Sequence, residues 1–539
     1  MTEYMSFRVL RNRFDLPYGL SPVDMLLAGL LVMYCLSAVV NRQPVTDACL
    51  QDMLPYLLLY TVVRLAASLG RKYVLPMLFL SLCIWSCTES VSGLMQVLGR
   101  MPSGHFLFRL TGSFDNPGPY GGFIAMTAAT ATAFAVQHRH SGIRTLCIPV
   151  LTAVLGLMVL PATMSRAGWA AYASAVLVCI LKETRAGFWL RKHKITTASL
   201  TVLLLVLSFG VFMMKKDSAL GRLHIWNMET RAIAAAPLSG TGPGTFGGSY
   251  GKAQEAYFRS ADRNEAVVKV AGCPEYAFNE YLKIGMETGI IGLMLAVSVT
   301  AVAITVLLKT GNVFGYGLLA AAVFGFFSYP MSVWQTTVLV VSLFAMAAGE
   351  SGTERTGIAA NAPAAAIVMA LIILCLPRYK ERQKDKEIWE TAKYRASMEQ
   401  YEDALEEYEG IYPAMRWNFR YLYDYGYALH KAGNYMESNG ILYEGTTISS
   451  DPMFWNIIGK NHAAAGNYGK AAEALEKAHY MVPGRLYPLV LLMELQESQG
   501  RREEALETGR EILGMEVNPK NRAMMKLRQN VEDKIGRME

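Results

Sequence analysis

A succession of apolar stretches, most of them about twenty residues long, fixes the class of fold before any single residue is considered. They lie near 19–40, 52–70, 73–96, 118–137, 143–162, 167–182, 195–214, 288–309, 314–330, 333–349 and 358–377. A helix of that length crosses a hydrocarbon core of roughly 30 Å, and backbone polar groups in lipid are satisfied only in helices or closed barrels. With 52% hydrophobic and only 18% charged residues over 539 positions, the chain is too apolar for a soluble protein of this size. The expectation is an all-α, polytopic membrane bundle of about eleven spans over residues 1–377.

Basic residues beside the spans set the expected orientation. Arg8, Arg11 and Arg13 precede the first span and put the N-terminus in the cytoplasm. Alternation then brings Arg71 and Lys72, His138 to Arg144, and the run Lys182, Arg185, Arg191, Lys192 and Lys194 to the same side. The opposite face receives 97–117, 161–166 and the long segment 215–277. An odd span count sends the C-terminus there too, although Arg378, Lys380, Arg382 and Lys384 argue the other way. The first span is too long for a signal peptide and lacks a small-residue cleavage site, so it reads as a retained anchor. Cys49 and Cys273 are the cysteines expected in outer loops, and no spacing argument pairs them. No metal-ligand spacing occurs.

From about residue 380 the chain changes character. KAGNY at 431–435, AAGNY at 464–468 and SQGRR at 498–502 place Gly433, Gly466 and Gly500 at steps of 33 and 34 residues, with MEQYEDA at 398–404 one step earlier. Ala471 and Ala505 follow five positions after their glycines, and Pro413, Pro452, Pro483 and Pro519 are read as closing units. This period predicts a soluble tetratricopeptide-like array over 378–539, in which stacking buries a face that one unit cannot bury alone. Such arrays bind partners and supply no catalysis.

Four segments of the membrane part carry the chemistry. TGSFDNPGPYGGFIA at 111–125 opens a helix at Asn116, and ATMSRAGWAAYASA at 162–175 sets Arg166 at the outer end of a span. GRLHIWNMETRAIAAAPLSGTGPGTFG at 221–247 is an amphipathic stretch followed by a glycine-rich turn, and FNEYLKIGMETGIIG at 278–292 leads into an apolar helix. Together, over roughly 110–295, they resemble the O-antigen ligase and O-antigen polymerase family, whose members move lipid-linked glycans on the outer face of the bacterial inner membrane. Asn279, Gly289 and Gly292 fit that family's histidine-Asn signature and the Gly-x-x-Gly that follows it. The family's histidine, thought to help activate the acceptor hydroxyl, is replaced here by Phe278, which cannot accept a proton.

The resemblance implies a polyprenyl-diphosphate-linked oligosaccharide donor, and the chemistry of that donor asks for a cationic grip on the leaving diphosphate. Arginine holds two phosphate oxygens at once, and Arg166 and Arg222 match the family's arginines. Each has a plainer reading: Arg166 snorkelling to headgroups, Arg222 in a surface ion pair. Arg231, further along the same helix, is a weaker candidate, and Trp226 reads as an interfacial anchor. Glu280 beside the vacant position and His224 near Arg222 are the candidate bases; Glu280 alternatively pairs with an arginine, and Glu287 is a support residue. Asn116 and Asn279 are candidate substrate-binding residues. Gly242 and Gly244 either bring backbone N–H groups to phosphate or form a tight turn.

The function expected is therefore glycosyl transfer at the periplasmic face of the inner membrane, with no metal, nucleotide sugar or other cofactor and no nucleic acid. Ligation to a lipid, polymerisation of repeat units and transfer to a protein hydroxyl remain open as acceptor chemistries. The repeats tilt the balance toward large or proteinaceous partners, and a non-catalytic scaffold or transporter of the same glycans is the reading from a different class.

Overall fold

The computed structural model describes residues 20–43, 51–69, 71–193, 216–260, 265–351, 373, 381–517 and 521–539. Among them every regular element is helical, and several are strongly apolar. In the first part these are α1 (Pro22–Val40), α2 (Gln51–Leu69), α3 (Arg71–Val97), α4 (Pro117–Gln137), α5 (Ile143–Val159), α6 (Arg166–Glu183) and α7 (Arg185–Lys192). Next come α8 (Lys216–Ala235), α9 (Phe246–Arg259), α10 (Glu265–Val270), α11 (Glu280–Lys309), α12 (Phe314–Phe327) and α13 (Trp334–Ser351). The expected spans 195–214 and 358–377, Cys49, and the boundary at 377 lie outside the described residues.

By length and composition, four described helices are able to cross a membrane: Pro22–Val40, Tyr73–Val97, Ile143–Thr163 and Glu280–Lys309. The chain is membrane-embedded. α4 is as long as these but is rich in glycine, alanine and threonine, and all of it from Pro119 to Ala131 is buried among its neighbours. Small residues let helices approach where lipid supplies no hydrophobic drive. A Cβ on Gly156 of α5 would stand 2.8 Å from that of Ala128, and one on Gly121 would stand 2.7 Å from that of Ser165. α4 packs against α5, α6 and α12, and the cluster around Tyr120, Phe123, Ile124 and Phe324 is the core of this half. Asp24 of α1 takes a two-pronged bond from Arg64 of α2, at 2.7 Å on each side, and a third from Tyr60 at 2.8 Å. A charge within an apolar helix is tolerated when paired in this way.

The span expected at 288–309 instead runs from Glu280, and its helix is broken at Gly289, where φ is +80°. The cause is the turn 237–242. Thr241 and Gly242 donate backbone N–H groups to the carbonyls of Met286 (2.8 Å) and Glu287 (3.2 Å), and Ile290 donates to Pro237 O (2.8 Å). Ser37 Oγ adds a bond to Glu287 O at 2.6 Å. Groups freed by the break thus find partners in the turn and in α1.

The C-terminal part continues with α14 (381–397), α15 (Tyr401–Met415), α16 (Phe419–Lys431), α17 (Tyr435–Ile448), α18 (Met453–Ala464), α19 (Tyr468–Met481), α20 (Tyr487–Ser498), α21 (Arg502–Gly514) and α22 (Arg522–Met538). Consecutive helices pack on one another. Gly433, Gly466 and Gly500 have φ of +84°, +76° and +72° and turn the chain between α16 and α17, α18 and α19, and α20 and α21. The sequence period is therefore the period of a helical hairpin. Pro413 differs from expectation: it sits inside α15, close to its end, and does not close the unit.

Candidate active site

Arg166 is the first residue of α6, after the Ser165 cap, where the helix dipole is already positive. Its Nη2 reaches across to Ser218 Oγ of α8 at 3.3 Å, and Ser218 stands one turn before Arg222 on the same face of that helix. The two arginines, from segments more than fifty residues apart in sequence, share one region. Burial, and then the Arg166 charge, push the half-buried Arg222 guanidinium down to about 10. Arg222 donates to the Phe327 carbonyl at 2.9 Å and lies over the Phe278 ring, 4.9 Å from its centre. No carboxylate pairs with it among the described residues. The two positive charges are thus close enough for one to be felt at the other.

An aromatic wall flanks Arg222. Phe278 adopts a left-handed backbone with φ of +55°, which is rare for a bulky residue, and its carbonyl accepts from Trp226 Nε1 at 3.3 Å. Trp226 therefore anchors α8 to the start of α11 and to Phe326 and Phe327. Tyr329 meets Phe278 edge-on at 5.2 Å and stacks on Tyr276 at 4.1 Å, the rings within 6° of parallel. Burial raises both phenols, with the Arg222 charge opposing it at Tyr329. Both keep their protons at neutral pH; that of Tyr276 is engaged by Glu275, and Tyr329 is the phenol that feels the Arg222 charge.

Asn279 is the N-cap of α11, its Oδ1 taking the N–H groups of Tyr281 and Leu282 at 3.1 Å each. Glu280 follows, buried, with Oε1 accepting from the Met331 N–H at 2.8 Å. Glu280, Lys283 and Glu287 recur at helical spacing along α11. Glu229 of α8, two turns beyond Arg222, is fully buried, and neither of its carboxyl oxygens has a hydrogen-bond partner among the described residues. Burial, then the Glu280 charge, pushes Glu229 well above the usual carboxylate range, with Lys283 opposing. Glu229 thus holds its proton more tightly than an ordinary carboxylate.

The remaining sequence candidates fall elsewhere. Asn116 caps α4 through a 2.8 Å bond from the Gly118 N–H. His224, on the face of α8 away from Arg222, has Nε2 2.8 Å from Gln254 Oε1 and its ring against Tyr257 and Phe258. Burial, with the Arg231 charge as the smaller cause, lowers its pKa against the effect of that bond. Arg231 is exposed, held by Asn227 Oδ1 at 3.4 Å and lying over Tyr257 at 5.1 Å. Gly242 needs its φ of +102°, but its N–H is taken by the Glu287 carbonyl; a Cβ there would stand 2.6 Å from Gln43 Oε1. Gly244 has φ of +71° and open space on its Cβ side. The structure gathers Arg166, Arg222 and Phe278 with the start of α11, and it leaves His224, Arg231 and Asn116 outside that group.

Arg166, Arg222 and most of the elements around them fall within one stretch that a family model matches. Residues 151–297 match the O-antigen ligase family model. That stretch supports an O-antigen ligase type of glycosyl-transfer protein, and it implies a lipid-linked glycan donor in a membrane context. No curated protein matches the chain. Sequence reasoning missed Glu229, Tyr276, Tyr329, Ser218 and Gln254. Tyr329 carried a signal, since SYP at 328–330 interrupts an otherwise apolar run with a hydroxyl, a phenol and a proline.

Proposed function

We propose that this chain is a membrane glycosyltransferase that moves a glycan from a polyprenyl-diphosphate-linked donor to an acceptor hydroxyl at the periplasmic face. The observation that carries the reading is the arginine pair, Arg166 bonded to Ser218 one turn from Arg222. The acceptor oxygen attacks the anomeric carbon, the bond from that carbon to the diphosphate oxygen breaks, and the electron pair goes to the diphosphate. Arg166 and Arg222 bind that group and stabilise the charge it gains. Tyr329 donates a hydrogen bond to the same oxygens or to the sugar. The acceptor proton passes to the Glu280 carboxylate, whose second oxygen is left free when Oε1 takes the Met331 N–H. Glu229, buried nearby with its pKa raised, holds its proton more tightly than an ordinary carboxylate, which limits the negative charge at the junction.

A protein acceptor is the favoured variant of this reading. Arg420 of the repeats pairs with Glu275 at 2.9 Å, directly beside Tyr276, so the tetratricopeptide-like surface adjoins the aromatic wall. A lipid acceptor has no need of such a surface. Complementation of a strain lacking the activity, read by glycan laddering on lipid and on protein, tests the assignment. Loss of product on changing both arginines supports the enzyme, and full product from that double variant supports a scaffold or transporter instead.

A further inference from the structure

Helix α9 lies between the arginine-bearing α8 and the repeat helices α17 and α19. One of its faces is made of glycine. A Cβ on Gly247 would stand 2.5 Å from Ile448 O, and one on Gly251 would stand 2.6 Å from Met481 Cε and 3.2 Å from Ser450 Cα; one on Gly248 would strike the Thr447 carbonyl. The repeats therefore sit on α9 at backbone distance, which no larger residue permits.

Gln254 completes the joint. It is fully buried, and its side-chain amide is saturated. Its Nε2 donates to the Gly272 carbonyl at 3.0 Å and to the Met481 carbonyl, while Oε1 accepts from Tyr250 OH and lies 2.8 Å from His224 Nε2. Both carbonyl partners demand N–H groups, so the amide has one orientation, and His224 must then carry its proton on Nε2. His224 is a structural donor at that nitrogen. It stands about 200° around α8 from Arg222, so fixing one fixes the direction of the other.

We infer that Gln254 is a positioning residue: through His224 it sets the roll of α8 that keeps Arg222 opposite Arg166, and through Met481 it ties that helix to the repeats. The repeat array is thereby part of the donor site and not a separable appendage. The donor half of this inference rests on the proposed function.

The test uses the full chain in detergent, with hydrogen exchange over 219–229 as one readout and binding of undecaprenyl diphosphate as the other. Gln254→Glu is nearly isosteric but turns a carboxylate oxygen toward the Gly272 and Met481 carbonyls. Gly248→Leu pushes the repeats away without touching the amide. Both raise exchange in that segment by about tenfold or more and weaken the probe, while exchange in α4 stays at the wild-type level. His224→Gln, which keeps an N–H for Gln254 Oε1, holds both readouts near wild type; His224→Phe does not. Wild-type exchange in both Gln254→Glu and Gly248→Leu overturns the positioning role. Raised exchange with undiminished probe binding, when Arg222→Ala has lost the probe, overturns the link from repeats to donor. If Arg222→Ala binds the probe like wild type, the donor reading falls, and the exchange result still decides the positioning.

Discussion

The guanidinium of Arg222 lies 4.9 Å from the centre of the Phe278 ring, so a cation covers the position where related ligases are expected to carry histidine. Phenylalanine there packs on the cation and cannot take a proton, and the proposed acceptor base is Glu280, two residues on. Glu280→Gln keeps the shape and removes the basic oxygen, and its activity loss is expected to be largest near neutral pH. In that background Phe278→His recovers part of the activity, because histidine tolerates the φ of +55° at this position better than most residues. A pH–rate profile of the single and double variants checks both; a fully active Glu280→Gln makes the carboxylate structural.

Glu229 gives a stability prediction with a definite sign. Its folded pKa is raised by burial and by Glu280, so the folded chain binds its proton more tightly than the unfolded chain. The stability linked to that proton is complete below the ordinary carboxylate pKa and is lost as pH rises through the raised value. The melting temperature in detergent therefore falls with rising pH across that window, and Glu229→Gln, which carries no titrating proton, flattens the slope. An identical slope in wild type and variant refutes the buried acid.

Gly289 is the hinge on which the turn 237–242 docks. With φ of +80° and the Leu238 carbonyl in the space of a Cβ, Gly289→Ala meets both backbone strain and a clash. A loss of about 1–3 kcal/mol is expected, read as lower yield of monodisperse protein and a lower melting temperature. Gly244→Ala, which has open space and only the strained φ, costs less.

Orientation has its own test. A reporter fused after residue 385 behaves as periplasmic, as does one at 250. Cytoplasmic behaviour at 385 with periplasmic behaviour at 250 contradicts the span count and the placement of the repeats.

Much of the plan was legible because it rests on local pattern. Apolar runs gave the helices, and glycines at constant phase gave the hairpin turns at Gly433, Gly466 and Gly500. Long-range partners were illegible. Nothing in the local sequence says that Gln254 meets Met481, or that His224 is taken up by Gln254 although it lies two residues from Arg222. Gly242 reads either as part of a phosphate-binding turn or as part of a tight turn, and spacing alone does not separate them: a turn that offers N–H groups to phosphate and one that offers them to a broken helix have the same sequence.

The central claim is that Arg166 and Arg222 form one diphosphate grip, and equilibrium binding of undecaprenyl diphosphate to the full chain measures it directly. Wild type should bind more tightly than Arg166→Ala, Arg222→Ala or the double variant. Arg222→Lys, which keeps the charge and loses the two-pronged contact, should fall in between and lower turnover by about 10- to 100-fold with unchanged folded protein. Losses in the single variants that do not add in the double variant are the signature of one shared ligand. Undiminished binding in the double variant would contradict the account.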